Sequence, residues 1–163
     1  MAEQPKNFGF GEDEVMLRDS ARKFLNDHCS SDKLHRLVAS DFNLDRPNDC
    51  VWDQGLWQQI VDLGWTAVCV PEAAGGIGMP TVAAISLAEE VGRVAFPSPL
   101  IATLSATFVL NACDSAAATN ALTDIAAGKA TALALTNTDG QWDSTATGVQ
   151  VNAAGRLDGL AAF

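Results

Sequence analysis

Apolar residues recur at helical spacing from the first tenth of the sequence onward. Leu17, Ala21, Phe24, Leu25 and His28 fall on one stripe, which predicts an amphipathic helix running to about Cys29. Glu12, Asp13 and Glu14 stand ahead of it, where negative charge favours a helix N-terminus. A shorter helix is expected over Ser31–Ala39, then a polar loop over Ser40–Asp53. Leu56, Trp57, Ile60 and Val61 predict a helix over Gln54–Leu63. Gly64 follows where a helix C-cap needs positive φ. The apolar run Trp65–Val70 is stopped by Pro71, and Gly75, Gly76 and Gly78 make a tight turn available. Pro80 is placed to begin a helix reaching Arg93, with Ala84, Ile85, Ala88 and Val91 on one face. Pro97 and Pro99 break the chain again. Leu100–Leu110 is apolar on every side and is expected to run through the centre of a helical bundle. Ser115 can cap a last helix over Ala116–Ala127, closed by Gly128.

After Lys129 the period switches from about 3.6 to about 2. Ala130–Thr136, Thr147–Asn152 and Leu157–Phe163 read as strands, with a turn at Asn137–Gly140. A boundary near Gly128 therefore divides a helical domain, 1–128, from a partial β-domain, 129–163. Three unclosed strands cannot bury two faces or protect their edges. The expected fold is mainly α, a helical bundle followed by the first strands of a β-domain, in a chain that reads as truncated.

Composition narrows the function classes. The 163 residues are 48% hydrophobic and 18% charged, as in a globular protein. A net charge of −10 argues against nucleic acid or an anionic membrane as partner. No stretch is long and apolar enough to span a bilayer, and no apolar leader opens the sequence. Cys29, Cys50, Cys69 and Cys113 are scattered, with no metal-ligand spacing, and are expected as buried free thiols in a reducing, cytoplasmic setting.

Few residues invite a chemical role. His28 sits at a helix end, where a capping or surface role is the ordinary one. Glu89 and Glu90 are adjacent on a helix, so their carboxylates diverge by about 100° and do not converge on one atom. The acidic loop 40–53 lacks the glycine and terminal glutamate of a calcium-binding loop. The glycines near residue 76 lack the order of a phosphate cradle. The best candidate is the strand end Leu133-Ala-Leu-Thr136, where backbone amides and a hydroxyl lead into a polar turn.

Several segments resemble the N-terminal region of the acyl-CoA dehydrogenase family. They are Glu14 to Leu25, Gly64-Trp65 followed by Pro71-Glu-Ala-Ala-Gly-Gly-Ile-Gly78, Ala88-Glu-Glu-Val-Gly-Arg93, Ile125-Ala-Ala-Gly128 and Leu135-Thr136. Each is weak alone, and their order and spacing together are specific. The resemblance implies a helical domain leading into a β-barrel-like middle domain. It implies FAD as cofactor, with Leu133, Leu135 and Thr136 against the flavin ring, and an acyl-CoA substrate oxidised to a trans-2-enoyl-CoA. Leu100, Thr103 and Leu104 become candidates for lining the acyl pocket. The family's catalytic base lies in a C-terminal helical domain, so no catalytic residue and no metal ligand is assigned here.

The resemblance also implies a homo- or hetero-oligomer with a related chain. After its threonine the family continues Glu-Pro-x-x-Gly-Ser; here Asn137, Thr138, Gln141 and Trp142 stand at the four named positions. Such erosion is expected of one subunit in a heteromeric, sterol-degradation-type enzyme. Two alternatives follow: a partner subunit with a degenerate flavin site, and a non-enzymatic helical interaction module.

Overall fold

A computed structural model describes residues 10–39, 52–142 and 147–161. The chain divides into two compact units, Met1–Thr131 and Ala132–Phe163. Among the described residues the first holds six α-helices: α1 Glu12–His28, α2 Ser31–Ala39, α3 Gln54–Asp62, α4 Thr81–Arg93, α5 Leu100–Asn111 and α6 Ala116–Ala126. Among its described residues the second holds one antiparallel pair, β1 Val149–Val151 and β2 Leu157–Gly159. The mainly α bundle leading into a first β-hairpin is the expected fold.

Capping explains most helix boundaries. Glu14 Oε2 accepts from the Gly11 N–H at the start of α1, Asp53 Oδ1 accepts from Leu56 N–H ahead of α3, and Ser115 Oγ accepts from Ala118 N–H ahead of α6. Pro80 is the cap residue of α4, so that helix begins one position later than its proline suggested. Of the polar loop, residues 40–51 lie outside the described residues.

The helical core joins α1, α3, α4 and α5 through Ala21, Leu25, Trp57, Ile60, Leu87 and Leu100, with Trp65 and Val68 from the connecting segment. A smaller cluster of Val70, Ala74, Leu122 and Ile125 ties α6 to that segment. The segment 64–80 is the corner these elements share. Gly64 has φ +78°. The N–H groups of Ile77, Gly78 and Met79 donate to the carbonyls of Ala67, Val70 and Val68. A Cβ on Gly76 would overlap the Val70 carbonyl, so the return leg can approach only with glycine there.

Four expectations change. The buried face of α4 is Ala83, Ala84, Leu87, Glu90 and Val91, while Ile85 is 47% exposed. The helix is rotated because Glu90 is drawn inward by two arginines. α5 is not buried all round: Leu100, Thr103, Leu104, Ala106 and Thr107 face in, whereas Ile101 is 41% exposed and Val109 lies open. Its inner threonines are tolerated because the Thr107 hydroxyl donates to the Thr103 carbonyl and Thr103 is also bonded. The run 130–135 belongs to no strand among the described residues, and of its end only Thr136 forms a bridge, to Trp142. Without a ladder partner, strand-like composition makes no strand. Of the thiols, Cys69 is buried, Cys29 half-buried and Cys113 exposed; Cys50 lies outside the described residues.

Candidate functional site

In the second unit, three backbone segments lie side by side. Gly148 N–H donates to the Thr136 carbonyl at 3.1 Å, and Leu160 N–H donates to the Gly148 carbonyl at 3.1 Å. β1 and β2 continue that pairing, Val149 opposite Gly159 and Val151 opposite Leu157. Thr136 is thus held between Gly148 on one side and its bridge partner Trp142 on the other. The residue is 7% exposed. Leu133 is half-buried and Leu135 exposed.

The turn that follows is organised by Asn137. Its Oδ1 accepts from the N–H groups of Asp139 and Gln141 at 3.0 and 2.9 Å. Trp142 is 79% exposed and offers only an indole N–H, never a hydroxyl. A phosphate contact at the Trp142 position is not met.

The acyl-lining candidates sit in the first unit. Leu100 and Thr103 are fully buried, and Leu104 nearly so. The Thr103 hydroxyl donates to the Thr131 carbonyl at 3.2 Å and accepts from the Thr131 N–H at 3.1 Å. It therefore holds the chain leaving the bundle. Leu104 alone of the three borders open space, a shallow groove between α4 and α5 with Ala84, Ile85, Ala88, Ile101 and Phe108.

The remaining candidates resolve into structural roles. His28 Nδ1 donates to the Phe24 carbonyl at 2.8 Å and its ring stacks on Phe24, which fixes the helix end. Glu89 is exposed, whereas Glu90 is 1% exposed. Glu90 Oε1 accepts from Arg22 and Oε2 from Arg93, the latter at 2.7 Å. Hydrogen bonds and charge from Arg22, then Arg93, hold its carboxyl below the usual range against the opposing effect of burial. A carboxylate so engaged is no general base. Arg22 and Glu90 are 68 residues apart, so nothing in the local sequence announced the pair. A cavity of about 230 Å³ near the C-terminal end of α1, lined by His28, Cys29, Lys33, Asp53 and Phe96, was also not foreseen. Among the described residues no acidic, histidine and cysteine group could hold a metal, and no helix is long and apolar enough to cross a membrane.

Comparison with known proteins gives concordant matches. Acyl-CoA dehydrogenase IpdE2 of Mycobacterium tuberculosis is 31% identical over 120 residues, covering 73% of this chain and 35% of the relative. IpdE2 of Mycolicibacterium smegmatis is 26% identical over 100 residues, 61% of this chain and 30% of that one. Among solved structures, a variant of the Tcur3481-Tcur3483 steroid ACAD superposes with a TM-score of 0.68 at 31% identity, covering 85% of this chain and 36% of that one. The chain thus spans about a third of the length of the curated relatives it matches. Residues 11–129 match the model of the acyl-CoA dehydrogenase N-terminal domain, and on that match the chain belongs to the acyl-CoA dehydrogenase family.

Proposed function

We propose that the chain is a subunit, or part of one, of an FAD-dependent acyl-CoA dehydrogenase that forms a trans-2-enoyl-CoA from an acyl-CoA thioester. The observation that carries the flavin is Thr136. Its backbone is held between Gly148 and the bridge partner Trp142 at the head of a polar turn, where a threonine hydroxyl can donate to or accept from a ligand. FAD, when bound, supplies the hydride acceptor. This chain's part is to orient it: the Thr136 hydroxyl and the backbone from Leu133 to Leu135 hold the polar edge of the ring. Leu104 serves as the acyl-facing wall, with Leu100 and Thr103 as the layer behind it. Glu90, committed to Arg22 and Arg93, is not the base that removes the α-proton. The steroid description of the structural neighbour supports a steroid-derived acyl group.

A second reading draws on Asn137 and Trp142. The glutamate-proline continuation of the family is replaced by a turn closed on its own carboxamide, and an exposed indole stands in the serine position. These changes favour a heteromeric enzyme in which a related chain completes the flavin and CoA site. The deciding experiment is a visible absorption spectrum of the natural gene product, purified alone and with a co-expressed related chain. A flavin band in the paired sample only supports the shared site, and a band in the single-chain sample supports a self-sufficient one. No band in either overturns the flavin assignment. In a flavin-loaded sample, Thr136→Ala is expected to weaken FAD binding by about 1 kcal/mol, the net worth of one hydrogen bond.

A further inference from the structure

Asn137 makes more of the turn than any other residue in it. Its Oδ1 takes two backbone N–H groups, those of Asp139 and Gln141. Its Nδ2 donates to Gln141 Oε1 at 3.1 Å. Its own N–H donates to the Gln141 carbonyl at 3.2 Å, and its carbonyl accepts from Gly140 N–H at 3.1 Å. A side chain that binds the backbone two and four residues ahead fixes its own dihedrals and the entry direction of the chain. The residue whose direction is set is Thr136, immediately before it.

Thr136 is then constrained from three directions. The Asn137–Gln141 backbone bond closes the hairpin behind it, Trp142 lies opposite, and Gly148 N–H holds its carbonyl. What is left free is the side chain, and a threonine has few χ1 rotamers to choose among. The hydroxyl is therefore confined to few orientations before any ligand arrives, and preorganisation of this kind raises affinity without adding a contact.

We infer that Asn137 is a positioning residue for the flavin ring: its carboxamide holds the turn that aims the Thr136 hydroxyl at the ring's polar edge. The inference rests on the flavin reading above. It assigns to Asn137 the rigidity that a proline would otherwise give at the following position, so the departure from the family sequence is a different construction of the same strand end.

The test measures FAD affinity by fluorescence quenching and the position of the visible flavin band, on the natural gene product paired with its related chain. Asn137→Ala is expected to weaken FAD about fivefold, as loss of one hydrogen bond does, and to shift the flavin band in the same direction as Thr136→Ala. Asn137→Gln keeps the carboxamide but moves it one methylene out of reach, and is expected to behave like the alanine variant. Asn137→Asp keeps an acceptor oxygen for both N–H groups and should stay within about twofold of wild type, the margin within which independent effects are usually resolved. The double variant Asn137→Ala with Thr136→Ala should bind no more weakly than Thr136→Ala alone, because the two act in series.

Full FAD affinity in both Asn137→Ala and Asn137→Gln would overturn the positioning role, as would additive losses in the double variant. A loss in Thr136→Ala would in those cases leave the flavin reading standing. Absence of flavin from the wild-type protein in every pairing would overturn that reading and the role of Asn137 with it.

Discussion

At the scale of single residues, the corner 64–80 is governed by how closely two backbone legs approach. Gly76 N–H donates to the Pro71 carbonyl while its Cα lies against Val70. Gly76→Ala forces a methyl into the Val70 carbonyl and displaces a segment whose Trp65, Val68 and Val70 are buried. The expected loss is on the order of 2–4 kcal/mol, the range of strained or overpacked core sites, read as a lower urea midpoint at unchanged slope. Gly75 has nothing near its Cβ position, yet its φ is +83°, so Gly75→Ala should cost less, about 1 kcal/mol. A reversed order would mean that dihedral strain and not close approach decides this corner. The glycine cluster was legible in the sequence as a turn. Which glycine is indispensable was not, because that depends on Val70 passing within contact, a fact of three-dimensional approach.

At the scale of elements, α1 and α4 are joined by apolar packing and by the clasp of Arg22, Glu90 and Arg93, with Arg93 also donating to Asn26 Oδ1 at 2.9 Å. The helices themselves were readable from periodicity and caps: α2 from Ser31 to Ala39, α6 from its Ser115 cap. Their facing was read less well. The apolar pattern groups Ile85 with Ala84, Ala88 and Val91 on one face, and presents Glu90 only as half of a diverging carboxylate pair; in the structure Ile85 is exposed and Glu90 buried, since two guanidinium groups compensate the carboxylate. The same inversion runs through α5, where inward threonines replace outward Ile101 and Val109. Long-range pairing of polar groups is invisible to a local pattern, and it decides which side of a helix is buried. Glu90→Gln should destabilise the helical unit by on the order of 2 kcal/mol at neutral pH, as for a lost charge-assisted bond. The clasp depresses the Glu90 carboxyl below its ordinary 4.5. Its stabilisation is therefore complete above that ordinary value and is lost as pH falls through the depressed folded value. The gap in melting temperature between wild type and Glu90→Gln should accordingly close below about pH 4.5 and stay constant above pH 6. A gap independent of pH would show that shape at position 90, not charge, holds the two helices.

At the scale of the molecule, each unit carries apolar surface that it does not itself cover. The helical unit leaves Ile85, Ile101 and Val109 open beside the groove that Leu104 borders, and the β-unit leaves Val151, Leu157 and Leu160 open on its hairpin. Contiguous apolar surface of this kind drives association, and a two-stranded hairpin is marginal without further strands. The matched relatives are about twice as long as this chain. A net charge of −10 opposes self-association at low ionic strength, and salt removes that opposition. The 163-residue chain alone is therefore expected to self-associate more strongly as salt is raised, seen as a rising weight-average sedimentation coefficient. The variant Ile85→Glu with Ile101→Glu places charge on the open face and should restore a monomer at the same salt. Its helical melting temperature should stay within a few degrees of wild type, since both side chains lie outside the core, where surface changes cost about 0.5 kcal/mol or less. If that variant still associated as wild type does, the α4–α5 face would be excluded as the contact, and the hairpin residues Val151 and Leu157 would be the place to introduce charge next. If it melted far below wild type, Ile85 and Ile101 would belong to the core after all, and α4 would have to be turned back to the facing its apolar pattern first suggested.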